Sequence, residues 1–182
     1  MQTARDRTHA PRERDAYMTI DQRVIPALLL HFKPRGRIWE PACGTGEMVA
    51  RLARVGHAAV GTDISFGASW NFLTTYQRAA KDVETIITNP PNKLNLDFVR
   101  HALKLMEPVR GAVAIYQRHE WDTTKKTAEI FEHPAFAMKI VPRFRPIWIA
   151  PEPGKKASSP FHKWSWYVWD WKHKGAPVVR FA

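Results

Sequence analysis

The 182-residue chain holds one cysteine, Cys43, so it has no internal disulfide and no cysteine-based zinc site, and it suits a reducing cytoplasm. Its eight histidines are scattered without metal-ligand spacing, and no metal is assigned. Nowhere do about 18 apolar residues run together, so no membrane-spanning helix is expected. Residues 1–15 alternate arginine with acids and lack an apolar centre, which removes a secretory signal from consideration. No internal repeat is visible. Negative charge is the scarcest ingredient: 17 acids face 28 Lys and Arg, a formal charge of +11. A field of that sign attracts polyanions and suits a phosphate backbone, although solubility alone is a plainer use for it.

A hydrophobic content of 45% over this length implies one globular domain, residues 16–182, preceded by a mobile basic arm at 1–15. An amphipathic helix is expected from Val24, Ile25, Ala27, Leu28 and Leu29, with Thr19 as its cap and Pro26 in its first turns. Residues 38–46, Ile-Trp-Glu-Pro-Ala-Cys-Gly-Thr-Gly, read as a buried strand ending at an acid and passing into a small-residue turn. Met48, Val49, Leu52, Ala53 and Val55 then mark a helix face, stopped by Gly56. Residues 57–62 form a short apolar segment ending at Asp63, expected as a buried parallel strand. Residues 66–80 are expected to be helical or mixed, with Trp70, Phe72, Leu73 and Tyr76 inward. The β-branched Val83-Glu-Thr-Ile-Ile-Thr88 is a strand running into Asn89-Pro90-Pro91-Asn92, where two prolines forbid its continuation. A helix through Met106 and a strand over 111–116 follow. A short helix over 124–131, strands near 138–141 and 164–171, and a proline-rich loop at 151–160 complete the chain.

Gly44 and Gly46 allow a sharp turn and leave no side chain between the backbone and a ligand, while the following helix aims its free N–H groups outward. A bare G-x-G also serves as an ordinary tight turn. Strand, glycine turn, helix, strand and a terminal acid together suit an adenosine, the Asp63 carboxylate accepting the ribose hydroxyls.

Glu40-Pro41-Ala42-Cys43-Gly44-Thr45-Gly46 followed by Asn89-Pro90-Pro91 resembles the S-adenosylmethionine-dependent amino-methyltransferases of DNA, which methylate the exocyclic amine of adenine or cytosine. The order of segments matches as well, starting from Tyr17-Met18-Thr19, and small phage- and prophage-type enzymes look most similar. The resemblance implies a Rossmann-like α/β fold: a mostly parallel twisted sheet, helices on both faces and an antiparallel strand near the C-terminus. It implies S-adenosylmethionine as cofactor, held by Tyr17, Thr19, Glu40, Pro41, Ala42, Cys43, Gly44, Gly46, Asp63, Ile64 and Asn71. Asn89, Pro90, Pro91 and Asn92 would then form the transfer site. Asn71 stands where the family often has an acid near the adenine amine. Asn92 stands where the family has an aromatic ring that stacks on the base, so Trp121 or a tryptophan of 164–171 is expected in its place, or a different target. DNA is the favoured partner before RNA. Methylation of a protein or small-molecule amide or amine, or a decayed binding protein, are the alternatives.

Overall fold

The computed structural model describes Thr19, residues 21–148 and residues 162–182. Tyr17, the arm at 1–15 and the loop at 151–160 lie outside the described residues. Seven strands form one sheet among those described: β1 (Arg37–Glu40), β2 (Ala59–Gly61), β3 (Val83–Thr88), β4 (Ala112–Arg118), β5 (Phe136–Val141), β6 (Trp164–Asp170) and β7 (Val178–Phe181). Their spatial order is β2-β1-β3-β4-β6-β5-β7. Only β6 runs against the rest, antiparallel to both β4 and β5. The mostly parallel sheet and the late antiparallel strand agree with the sequence expectation.

Alternation along the strands divides the core in two. Ile38, Ile87, Ala112, Ala114, Tyr116, Trp166 and Val168 face one side, against α1 (Val24–Leu29) and α2 (Glu47–Arg54). Trp39, Ile86, Val113, Ile115, Tyr167 and Trp169 face the other, under α3 (Asn95–Met106) and near α4 (Ala128–Phe131). In α3, Leu96, Val99, Ala102, Leu103 and Met106 recur at helical spacing and are buried, which is why the segment docks as a helix. Strand β6 holds both layers: the Trp166 indole N–H donates to the Val24 carbonyl at 3.0 Å, and that of Trp169 to the Ile130 carbonyl at 2.7 Å. Each buried indole thus satisfies its donor while tying a helical segment to the sheet.

Several local expectations need correction. Thr19 does not cap α1; Arg23 holds the N-cap position, and no side chain caps it. Strand β2 is half-exposed, because among the described strands β1 is its only neighbour and it forms the sheet's edge. Residues 64–74 form three 3-10 turns; Phe72 is buried and Leu73 packs against the core, but Trp70 and Tyr76 are 48% and 86% exposed. Strand β7, pairing in parallel with β5, had no counterpart in the sequence reading.

Candidate active site

The parallel strands place the sequence motifs at one edge of the sheet, since Glu40, Asp63 and Asn89 all sit at or just beyond strand C-termini. After β1 the chain turns through Gly44 (φ 52°) and Gly46 (φ 85°), both left-handed, and Gly46 caps α2. A Cβ at either glycine would meet nothing within 4 Å, so the turn presents bare backbone to open space. Gly61 is a requirement the sequence reading passed over. A Cβ there would lie 2.8 Å from Cys43 Cβ and 2.9 Å from Val49 Cγ2, so β2 approaches the turn only as glycine.

Two acids flank this turn. Asp63 accepts the Gly44 N–H at 2.9 Å on one carboxylate oxygen and the Ser65 N–H at 2.9 Å on the other, joining the loops after β1 and β2. Glu40 is 4% exposed, and its Oε2 has no hydrogen-bond partner among the described residues. Burial, then the neighbouring Asp63, pushes its carboxyl well above the usual range, against one hydrogen bond from the Val49 backbone N–H in the first turn of α2. Burial together with Glu40 and Asp63 raises the Cys43 thiol to about 11, so it stays protonated and unreactive at neutral pH. Pro41 is buried behind the turn and Ala42 packs against the α3-side core.

Beyond Asp63, Ile64 is 62% exposed at the tip of the loop. A cavity of about 210 Å³ has Trp39, Thr62, Trp70, Asn71, Phe72 and Arg78 among its lining residues. That volume is below the ~300 Å³ of a whole-ligand pocket and fits a single flat ring system. The Asn71 side-chain oxygen already accepts the Leu73 N–H at 3.1 Å.

Asn89 is 9% exposed where β3 ends, and its Nδ2 donates to Thr19 Oγ1 at 3.1 Å. Thr19 therefore lies against the Asn89-Pro90-Pro91 segment. Two residues that sequence reasoning missed hold it there. Arg51 of α2 donates to the Thr19 carbonyl at 2.9 Å and the Asp21 carbonyl at 2.6 Å. The Asp21 carboxylate accepts from Arg23 and from the Ile147 N–H; burial opposes its ionisation, and those hydrogen bonds outweigh it and lower the carboxyl. The Pro91 carbonyl accepts the Leu94 N–H, turning the chain into α3. Asn92 Oδ1 is buried with no hydrogen-bond partner among the described residues. Of the aromatic stand-ins considered, Trp164 lies at the site end of β6 opposite Arg118, in a cluster with Tyr116 and Trp148. Trp121 is buried on the other face against Phe131 and Tyr167, and Trp169 and Trp171 belong to the far end of the sheet.

No protein-family model and no curated protein matches the sequence. Solved structures do match its fold. A Listeria monocytogenes protein described as a class I S-adenosylmethionine-dependent methyltransferase superimposes with a TM-score of 0.59 at 18% identity, over 96% of this chain and 67% of that one. A Thermotoga maritima protein described as an S-adenosylmethionine-dependent O-methyltransferase gives 0.50 at 17%, over 84% and 65%. A Vibrio vulnificus protein described as a modification subunit of a type I restriction enzyme gives 0.54 at 14%, over 91% and 47%. The chain thus spans between about half and two thirds of these proteins, and what it shares with them is the Rossmann-like methyltransferase fold.

Proposed function

We propose that the protein is an S-adenosylmethionine-dependent methyltransferase acting on an exocyclic amino group of a nucleic-acid base, with DNA favoured over RNA. The observation that carries this reading is the Asn89 carboxamide, held by its nitrogen end on Thr19 at the tip of β3, one strand from the Glu40 acid and the open glycine turn. An exocyclic base amine is a weak nucleophile because its lone pair is delocalised into the ring. The Asn89 side-chain carbonyl and the Pro90 backbone carbonyl are suited to accept hydrogen bonds from its two N–H groups, which favours a pyramidal nitrogen with a directed lone pair. The prolines and the Thr19–Arg51 support hold those acceptors in place before substrate arrives, the arrangement that lowers a barrier most effectively.

The residues around the glycine turn fit the cofactor. Buried Glu40 Oε2 suits the ammonium of its amino-acid end, Asp63 the ribose hydroxyls, and the cavity at Asn71 the purine. Bound there, S-adenosylmethionine supplies an electrophilic methyl group. Asp63, and Glu40 once its carboxyl ionises against the ligand ammonium, also suit its positive charge. Because the amine of a paired base is inaccessible in the stack, the target must be flipped out or single-stranded.

Asn92 favours a second reading. A buried amide oxygen at the position of a stacking ring suits a hydrogen-bonded target, such as a protein amide. Transfer of labelled methyl to duplex DNA, single-stranded DNA, RNA and protein separates the readings. Label on a base amine is expected; label on protein alone would replace the first reading with the second. Normal cofactor binding without transfer to any substrate would mark a binding protein.

A further inference from the structure

At the same edge of the sheet as Asn89, beyond β4, lies a cavity of about 560 Å³ that the methyl-transfer reading leaves unused. It is built from the ends of β5 and β7 and the segments after β4 and before β6, and it presents Arg143, Arg145, Lys163, Phe144, Phe181 and His119. Arg143, Arg145 and Lys163 are exposed and form no ion pair among the described residues. Of the nearby acids, Asp21 pairs with Arg23 and Asp122 with Lys139, while the exposed Glu120 carboxylate lies 4.0 Å from the His162 ring. Phe181 is 57% exposed, with the Arg143 guanidinium 5.5 Å from its ring centre. The Arg143 N–H donates to the Ala182 carbonyl at 2.7 Å, and the Arg145 carbonyl accepts from Arg23, so the cationic segment is fixed to the fold.

We propose that this groove binds a single-stranded stretch of nucleic acid beside the target base, the three cations neutralising phosphates and Phe181 stacking on a base. Uncompensated cations interleaved with an exposed ring are the chemistry that tracks single strands. The geometry suits the task. At a spacing of ~4.8 Å per strand, the end of β5 lies roughly 14 Å across the sheet from that of β3, a reach of a few nucleotides. The groove depends on β7, which adds Phe181 to its wall. This inference rests on the nucleic-acid reading above and names how that substrate is held.

The test uses the full chain and a fluorescein-labelled single-stranded DNA of about 12 nucleotides, read by polarisation against salt. The variant Arg143→Ala/Arg145→Ala/Lys163→Ala should bind at least tenfold more weakly, with its log–log salt slope smaller by about 2, the release expected for three phosphates. Phe181→Ala should lose about tenfold with the slope unchanged. Arg54→Ala/Lys104→Ala, exposed cations on the helices, should match wild type. Unaltered thermal melting and cofactor binding in the triple variant show that it is folded. Wild-type affinity and slope in the triple variant would overturn the groove. Equal competition by duplex DNA would overturn the single-strand assignment. A groove that binds as described in a protein that methylates no base would leave this inference standing and remove the function above.

Discussion

The two halves of the sheet are built by different means. In the half formed by β2, β1 and β3, the turns after the strands hold the candidate site residues, and the buried polar groups include Glu40, Thr62, Thr88 and Asn89. In the half formed by β4, β6, β5 and β7, strands β4 and β6 are seven residues each and the interior is aromatic, with Tyr116, Trp164, Trp166, Tyr167 and Trp169 all buried. The first half tolerates a destabilising buried carboxyl at Glu40; the second supplies the packing that offsets it. Stability and site are therefore separable by mutation, and the two should respond differently to the same kind of change.

The largest effect belongs to the aromatic half. Trp166 is fully buried and its indole N–H is bonded to the Val24 carbonyl. Trp166→Ala should cost about 3–5 kcal/mol, as large core truncations do, and leave a carbonyl without its donor. In a chain of this size that corresponds to a fall of roughly 10 °C or more in the melting temperature, read by circular dichroism. A loss below about 1 kcal/mol would mean that β6 does not tie the two layers together.

Asn89→Ala, at the site, should barely move the melting curve and should cut methyl transfer by ~10²-fold or more, the cost of losing one preorganised polar contact. Cofactor affinity should stay within about threefold, because the Glu40 and Asp63 contacts are untouched. Thr19→Val tests the support behind it: the carboxamide remains but loses the anchor at its nitrogen end, and the expected loss is about tenfold in turnover, a smaller effect than that of Asn89→Ala. Equal losses from both changes would show that Thr19 itself touches the substrate.

The same contrast explains what could be read from the sequence. The glycine turn, Asp63, the Asn-Pro-Pro end of β3 and the helix after it are local patterns, each decided within ten or so neighbouring residues. Their order along the chain is enough to place them at one sheet edge. The contacts that complete the site are long-range. Arg51 reaches Thr19, Asp21 reaches Ile147, and the basic groove joins segments after β4 and β5 and the end of β7 with one before β6. No periodicity announces such meetings. Edge position was equally hidden: β2 reads as apolar, yet it has a strand on one side only, and β7 lies in a segment with too few apolar residues to stand out. The exposed Trp70 and Tyr76 misled for a related reason, since three 3-10 turns replace the helix that would have turned them inward.

The smallest effect concerns Glu40, and it is a linkage effect. Its carboxyl is raised by burial and by Asp63. The folded protein therefore holds a proton that the unfolded chain, with a carboxyl near the ordinary ~4.3, releases. Stability contributed at this position must fall as pH rises from that unfolded value through the raised folded value. Glu40→Gln removes the titration, so the cofactor-free variant should melt a few degrees higher than wild type at neutral pH. That advantage should shrink as the pH drops below about 4, where both states of the wild-type residue are protonated. Binding should show the opposite preference. A ligand ammonium against Glu40 favours the carboxylate, so S-adenosylmethionine should bind wild type with release of part of a proton. Calorimetry in buffers of different ionisation enthalpy would measure it. Glu40→Gln should bind more weakly, by about tenfold, and with no buffer dependence. A buffer-independent enthalpy in wild type, or a variant that melts lower when free of ligand, would show that Glu40 is ionised and satisfied in the free protein.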